Sequence, residues 1–370
     1  MTAFARRLGI ETVDAPMYGV PDSYAAWSGV LNEAARRAGE LGATVVYNVT
    51  GGPRTLPLAA IVGASNEVRA SMVALAVSFS DRTCTQLIFN NRGEFIGERA
   101  LPAHDRVGFD GLITLYGYRK QDPGARKSHE QFICKHRCIA DRVLAAAKKR
   151  GGKTAIATLQ WSMQFDAITG AERGASATPF CVAVAGLRTD RKALGGVIAA
   201  FEGLDGLNIV RNRSGAVQSI EVKTEAARRF IGGVWLEAVV FGLVRDVLGT
   251  RAEVVAGAVL AVEGRPPRSS NILPDDTELD IAIVLDDQLH VIEVKAVTNT
   301  VGKFGDHIAK LAKIRQELGS QVMRSFLVAP LLVRSNLERG GFIARAEKQG
   351  VHLRIDHTAT AQLESDLRKL

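Results

Sequence analysis

Residues Thr277 to Ala296 read TELDIAIVLDDQLHVIEVKA, two largely apolar runs on either side of Asp286-Asp287. A two-residue loop between two strands folds them into a hairpin. Counting back from that turn, Leu285 faces Gln288 and Asp280 faces Glu293. Directly opposed side chains hold their Cβ atoms about 4.5–5.5 Å apart. Two carboxylates that close raise one another's pKa unless a cation lies between them. Oxygen ligands of this kind suit a hard cation, Mg²⁺ or Mn²⁺. Residues i and i+2 of a strand share a face, so Lys295 projects beside Glu293 while Ile292 and Val294 point into a core. Two carboxylates and a lysine around a divalent cation are the parts that phosphodiester hydrolysis needs: bound metal lowers the pKa of water and stabilises the transition state. A solvent-facing Glu–Lys pair would give the same motif by chance. The apolar neighbours on both strands favour a site near a cleft instead.

The flanking segments predict the order α-β-β-β-α-β. Gly233–Leu248 has a helical apolar face of Leu236, Val239, Val240, Leu243 and Val247. Glu253–Val262 is a strand and Arg265–Asp276 a polar loop. The hairpin strands are Leu279–Leu285 and Leu289–Ala296. A helix over Ile308–Leu318 turns Ile308, Leu311, Ala312, Ile314 and Leu318 inward, and Ser325–Ala329 is a buried strand. Lys303, Lys310, Lys313 and Arg315 either line a nucleic-acid path or form the wet face of that helix.

The first part alternates strand and helix. Ile10–Ala15 is a short apolar run, Tyr24–Leu41 has helical spacing ended by Gly42, and Thr44–Tyr47 is a buried-type strand. Asn48-Val49-Thr50-Gly51-Gly52-Pro53-Arg54 then turns into a predicted helix over Arg54–Ala64, with strands at Val73–Ser80 and Thr85–Asn90. This succession indicates a parallel, Rossmann-like sheet. A glycine turn at a helix N-terminus can present amides to phosphate. Thr50 adds a hydroxyl and Arg54 a charge. A lone Gly-Gly is more often a tight turn without ligand.

Between these parts, His129–Lys149 predicts one basic helix and Lys192–Glu202 another. Phe180–Leu187 is apolar, and Ile209–Arg211 and Ser219–Val222 flank a hairpin-like turn. His129, Cys134, His136 and Cys138 lack the two separated ligand pairs of a zinc site. The expected division is a sensor-type domain over 1–127, a connecting region over 128–224 and a nuclease domain over 225–370.

The E-x-K of Glu293–Lys295, the Asp at 280 and the element order resemble the PD-(D/E)xK nuclease superfamily. No proline precedes Asp280. The resemblance makes Asp280, Glu293 and Glu237 metal ligands, and Glu237, Asp280, Glu293 and Lys295 catalytic. Glu237 lies amid apolar residues, where an unpaired charge is costly. Together with the N-x-T-G-G turn and the GGxWLE segment at Gly232–Glu237, the chain resembles the CRISPR-associated Rossmann-fold (CARF) nucleases of type III CRISPR systems. That family's turn reads N-x-T-G-G-T-K, and Pro53 and Arg54 stand where it has Thr and Lys.

The resemblance implies an α/β chain with an N-terminal Rossmann-like CARF domain and a C-terminal restriction-endonuclease-like αβββαβ domain. The CARF domain would hold cyclic oligoadenylate, often cyclic tetra-adenylate, through Asn48, Thr50, Gly51, Gly52 and Arg54. It implies a homodimer, Mn²⁺ or Mg²⁺, and a DNA or RNA substrate, with single strands preferred and duplex nicking as a further activity. A first strand, loop and helix expected before Ile10 is missing from the reading, which puts activation by the ring nucleotide in question. An unregulated restriction or repair endonuclease with a dimerising N-terminal domain, and a catalytically silent cyclic-nucleotide sensor, remain as alternatives.

Composition agrees with this class. Lys and Arg outnumber Asp and Glu by 47 to 39, a net +8 that suits a polyanionic partner. The four cysteines have no disulfide-like spacing, no signal peptide is read, and the apolar runs are too short to span a bilayer. The expectation is a cytoplasmic protein without membrane contact.

Overall fold

The computed structural model describes residues 29, 32–33, 36, 40, 46–48, 73–78, 83–101 apart from 91, 108–115, 118–120, 123–166, 172, 178–262, 277–296, 301–318, 322–332 and 341–370. The chain divides into two compact units, Met1–Val107 and Gly108–Leu370.

In the first unit, residues 29, 32, 33, 36 and 40 are helical, inside the helix expected over Tyr24–Leu41. Strands β1 (Val46–Asn48), β2 (Val73–Ser78), β3 (Thr83–Phe89) and β4 (Phe95–Leu101) form one sheet in that order. β1 and β2 are parallel, as the sequence predicts. β2, β3 and β4 are antiparallel, which departs from a wholly parallel sheet. The cause is local. The Asn90 side chain accepts the N–H groups of Arg92 and Glu94, both at 2.9 Å, and so closes a tight turn that sends the chain straight back. The expected run at Ile10–Ala15, the helix over Arg54–Ala64, and Thr50, Gly51, Gly52 and Arg54 lie outside the described residues.

The second unit begins with α1 (Phe109–Leu115), β5 (Tyr118–Lys120), α2 (Pro123–Lys135), α3 (Arg137–Ala147) and α4 (Gly152–Gln164). The single helix expected over His129–Lys149 is therefore two, joined at His136. There follow β6 (Phe180–Ala183), α5 (Arg191–Ala200), β7 (Leu207–Arg211) and β8 (Val217–Val222), with β6, β8 and β7 forming a small antiparallel sheet. Thr224 caps α6 (Glu225–Arg229) by accepting the Ala227 N–H at 3.2 Å. A π-type turn at Phe230–Val234 leads into α7 (Trp235–Leu248).

A large sheet follows. It uses β9 (Glu253–Val262), β10 (Thr277–Leu285), β11 (Gln288–Val294), β12 (Val322–Ala329) and β13 (Val351–Ile355), with helices α8 (Val301–Glu317), α9 (Phe342–Lys348) and α10 (Ala359–Leu367). Its order is β13-β12-β11-β10-β9-β5. β9, β10 and β11 are antiparallel, while β12 and β13 join in parallel after the crossovers through α8 and α9. Both faces are covered, so β10 and β11 read as nearly continuous apolar runs. Phe304, Ile308, Leu311, Ile314 and Leu318 are the buried face of α8 and its end.

The region expected to connect two domains shares this core. Val143 of α3, Leu159 of α4, Phe201, Trp235 of α7 and Ile281, Ile283 and Ile292 of the hairpin belong to one buried apolar cluster. The reason lies in α7, which is apolar on most sides and needs cover from the sheet and from α3 together. The candidate metal cluster on α2 and α3 does not form: the buried His136 accepts from the Asp205 N–H and contacts the Phe132 carbonyl, while Cys134 and Cys138 are exposed.

Helix α2 is fixed on β9 at two adjacent residues. Glu130 accepts the Ala256 N–H at 3.0 Å. Gly257 has φ of 62°, and a Cβ there would stand 2.8 Å from the His129 ring. Gly257→Ala is expected to destabilise the fold by about 1–3 kcal/mol through left-handed backbone strain and displacement of the ring. Urea unfolding measures it, and an unchanged midpoint would contradict this packing.

Candidate active site

The hairpin turn is built as the sequence implies. Asp286 and Asp287 have φ of 50° and 60°, the left-handed pair of a two-residue hairpin turn. The register runs from Leu285–Gln288 to Ile281–Ile292, and one further step places Asp280 opposite Glu293. Both carboxylates are buried. They share the sheet face opposite Ile281 and Ile292, with Asp280 inside β10 and Glu293 one residue from the end of β11.

Neither acid is left bare. Asp280 Oδ2 accepts the Val294 N–H at 2.7 Å and lies 3.4 Å from Lys295 Nζ. Glu293 Oε1 meets Lys295 Nζ at 2.7 Å and His307 Nδ1 at 3.4 Å, and Glu293 Oε2 meets Lys310 Nζ at 2.6 Å. His307 and Lys310 lie three apart on α8, so one helical face delivers both.

This asymmetry separates the two acids electrostatically. Burial, with the nearby Glu293 charge, pushes Asp280 up to about 7. Burial would raise Glu293 too, but the His307 contact, Lys295 and Lys310 outweigh it and hold Glu293 at about 2. Burial alone would lower Lys295. The carboxylates of Asp280, Glu293 and Glu237 reverse that and hold its ammonium charged. In this state Lys295 is a fixed cation rather than a base.

Glu237 stands apart from the pair. Its Oε2 is 3.2 Å from His129 Nε2. Among the described residues no three His, Cys, Asp or Glu side chains are grouped to hold a metal. Glu237 still lines, with Lys295 and Val294, a cleft of about 320 Å³. Two buried, opposed carboxylates, one of them pushed up by burial and by its neighbour's charge, fit a divalent cation. Mg²⁺ commonly takes one or two protein carboxylates and completes its shell with water and phosphate.

Asn48, the first residue of the expected nucleotide-binding turn, closes β1, whereas its four partners fall outside the described residues. Sequence reasoning passed over His307, weighed His129 only as a zinc ligand, and read Lys310 only as lining a nucleic-acid path or the wet face of its helix. Their only sequence signal is position. His307 and Lys310 sit one turn apart on the helix after the E-x-K strand, and His129 lies 108 residues from its partner.

Residues 224–369 match the model of the Card1-like endonuclease domain. The domain starts at the Thr224 cap and takes in α7, the hairpin and α8. Among solved structures, protein VC1899 from Vibrio cholerae aligns over 100% of this chain and 86% of its own, at 20% identity and a TM-score of 0.62. Can2 from Sulfobacillus thermosulfidooxidans, determined in complex with cyclic tetra-adenylate, aligns over 100% of this chain and 85% of its own, at 16% identity and a TM-score of 0.57. The α/β fold is thus shared along the whole chain. No curated protein matches the sequence. Among the described residues no helix is long and apolar enough to cross a membrane.

Asp280 makes the metal-free endonuclease domain pH-sensitive. Its folded pKa is raised from 3.8 to about 7, so the folded state binds the extra proton between those values. The Asp280 contribution to stability therefore falls as pH rises from about 4 to 7 and stays low above that. Thermal melts should show Mn²⁺ raising the midpoint more at pH 8 than at pH 5 in the wild-type protein, with the increment lost in Asp280→Asn. An equal increment in that variant would remove Asp280 from the metal site.

Proposed function

We propose that this protein is a divalent-metal-dependent endonuclease of type III CRISPR antiviral defence, switched on by cyclic tetra-adenylate bound to its N-terminal unit. The observation that carries the catalytic half is the buried, opposed pair Asp280–Glu293 with Lys295 at both carboxylates. Asp280 and Glu293 would hold Mg²⁺ or Mn²⁺, and Glu237 would join them on leaving His129. The bound ion would supply Lewis acidity and a water of lowered pKa. Lys295 is held charged, so it orients the attacking water or offsets charge on the scissile phosphate. Lys310 bonds the outer oxygen of Glu293 and adds a second cation to the same wall.

The regulatory half rests on the Asn48–Arg54 turn and on the fold shared with Can2, whose structure holds cyclic tetra-adenylate. Asn48 would contact the ring, with Thr50, Gly51, Gly52 and Arg54 supplying amides, a hydroxyl and a charge. A two-fold ring nucleotide fits two copies of one turn, which makes the working form a homodimer. Single-stranded DNA or RNA is the preferred substrate, with nicking of duplex DNA as a secondary activity. The sensor would occupy 1–127 and the nuclease 225–370, with 128–224 between them in sequence.

With Mn²⁺ and cyclic tetra-adenylate the purified protein is expected to cut single-stranded substrate. Glu293→Gln and Lys295→Ala should each lose roughly two orders of magnitude or more. Full-rate cutting without the ring nucleotide removes the switch and leaves an unregulated endonuclease. Tight ring binding without cleavage under any divalent metal leaves a silent sensor.

A further inference from the structure

Beside the endonuclease cleft stands an aromatic pair that the carboxylate chemistry does not use. Trp161 and Phe165, one turn apart at the end of α4, stack with ring centroids 5.5 Å apart and planes 21° apart. Trp161 is 44% exposed, whereas Trp235 is fully buried. An indole left in water forgoes the stabilisation its burial would give, so it marks a surface with a use. Met163 and Gln164, two of the three residues between, line the cleft together with Glu237 and Lys295. Trp161 precedes Gln164 by three residues, about 4.5 Å of helix rise, so the exposed indole adjoins the cleft wall.

The cations nearby differ in availability. Arg228 is occupied: Nε and Nη2 bond Glu225 at 2.7 Å, and Nη1 reaches the Met163 carbonyl at 3.3 Å. Arg229 also lines the cleft, is exposed, and makes no ion pair among the described residues. Moving outward from Lys295, the cleft therefore offers an uncommitted guanidinium and a flat π surface. A duplex keeps its base faces in the stack, whereas an unpaired base presents one to an aromatic ring. Base–aromatic stacking tolerates any sequence, because every base has a π face.

We propose that Trp161, backed by Phe165, is a stacking platform for an unpaired base of the nucleic-acid substrate next to the scissile bond, with Arg229 on an adjoining phosphate. The platform rests on the endonuclease reading above and gives its single-strand preference a physical cause. The Phe165 ring holds the indole plane, so the stacking face is fixed before substrate arrives.

The test uses the full chain carrying Glu293→Gln, so that bound strands stay intact. Fluorescence anisotropy with Ca²⁺ and cyclic tetra-adenylate compares a labelled 12-nucleotide oligo-dT with a duplex of equal length. Trp161→Ala should weaken single-strand binding roughly 5- to 100-fold and leave duplex binding within about twofold, and Trp161→Phe should recover most of the loss. Arg229→Ala should weaken both substrates and flatten their salt dependence. An unchanged single-strand affinity in Trp161→Ala overturns the platform. So does an equal loss on both substrates, or a loss accompanied by a smaller assembly on size-exclusion chromatography, which would make the surface a contact between copies of the chain. Wild-type protein with Mn²⁺ that cleaves neither strand nor duplex sinks the endonuclease reading and the platform with it. Cleavage by wild type combined with unaltered binding in Trp161→Ala sinks the platform alone.

Discussion

Burying two like charges beside each other is the constraint around which the second unit is organised. Asp280 and Glu293 face one another across a hairpin whose other residues are almost all apolar and buried. Their repulsion is offset in three ways. A backbone N–H from Val294 bonds Asp280, Lys295 bridges the two, and α8 brings His307 and Lys310 against Glu293. Replacing such groups with apolar ones would commonly cost little stability. Cohesion therefore does not account for them. On the proposed function, Lys295 and Lys310 occupy the positive side of the site that a divalent cation would share.

The second acid helix is subject to a different control. Glu237 is paired with His129, and the His129 ring packs against the bare backbone of Gly257. Helix α2 therefore does two things at once: it locks onto β9 and holds the carboxylate nearest the cleft. This joins the segment before the endonuclease domain to the cleft that Glu237 lines. It also explains why residues 128–224 fold with the nuclease sheet. Trp235, Phe230 and Phe201 need cover that the sheet alone does not give.

The site was legible in the sequence where local geometry carries it. A two-residue turn fixes a hairpin's register by arithmetic, so Asp280, Glu293 and Lys295 could be set together from the order of residues. Strand Glu253–Val262 and the hairpin strands were likewise readable from apolar runs, and α8 from its spacing. Strand β4 escaped because an edge strand with Glu98 and Arg99 exposed has no apolar alternation to show. The helix break at His136 escaped because helical periodicity continues on both sides. The end of the chain, with α9, β13 and α10, gave no signal strong enough to place a strand between two short helices.

By itself, then, the sequence determined the register of the acidic hairpin and the α-β-β-β-α-β order around it, because each depends on neighbours close along the chain. Only the tertiary structure decided what surrounds the carboxylates. His307 and Lys310 reach Glu293 through the crossover of α8, and His129 reaches Glu237 across 108 residues. Gln164 and Met163 reach the Lys295 cleft by packing of α4. Contacts of that kind are set by how helices settle on a twisted sheet, and no periodicity in the sequence encodes which polar tips then meet.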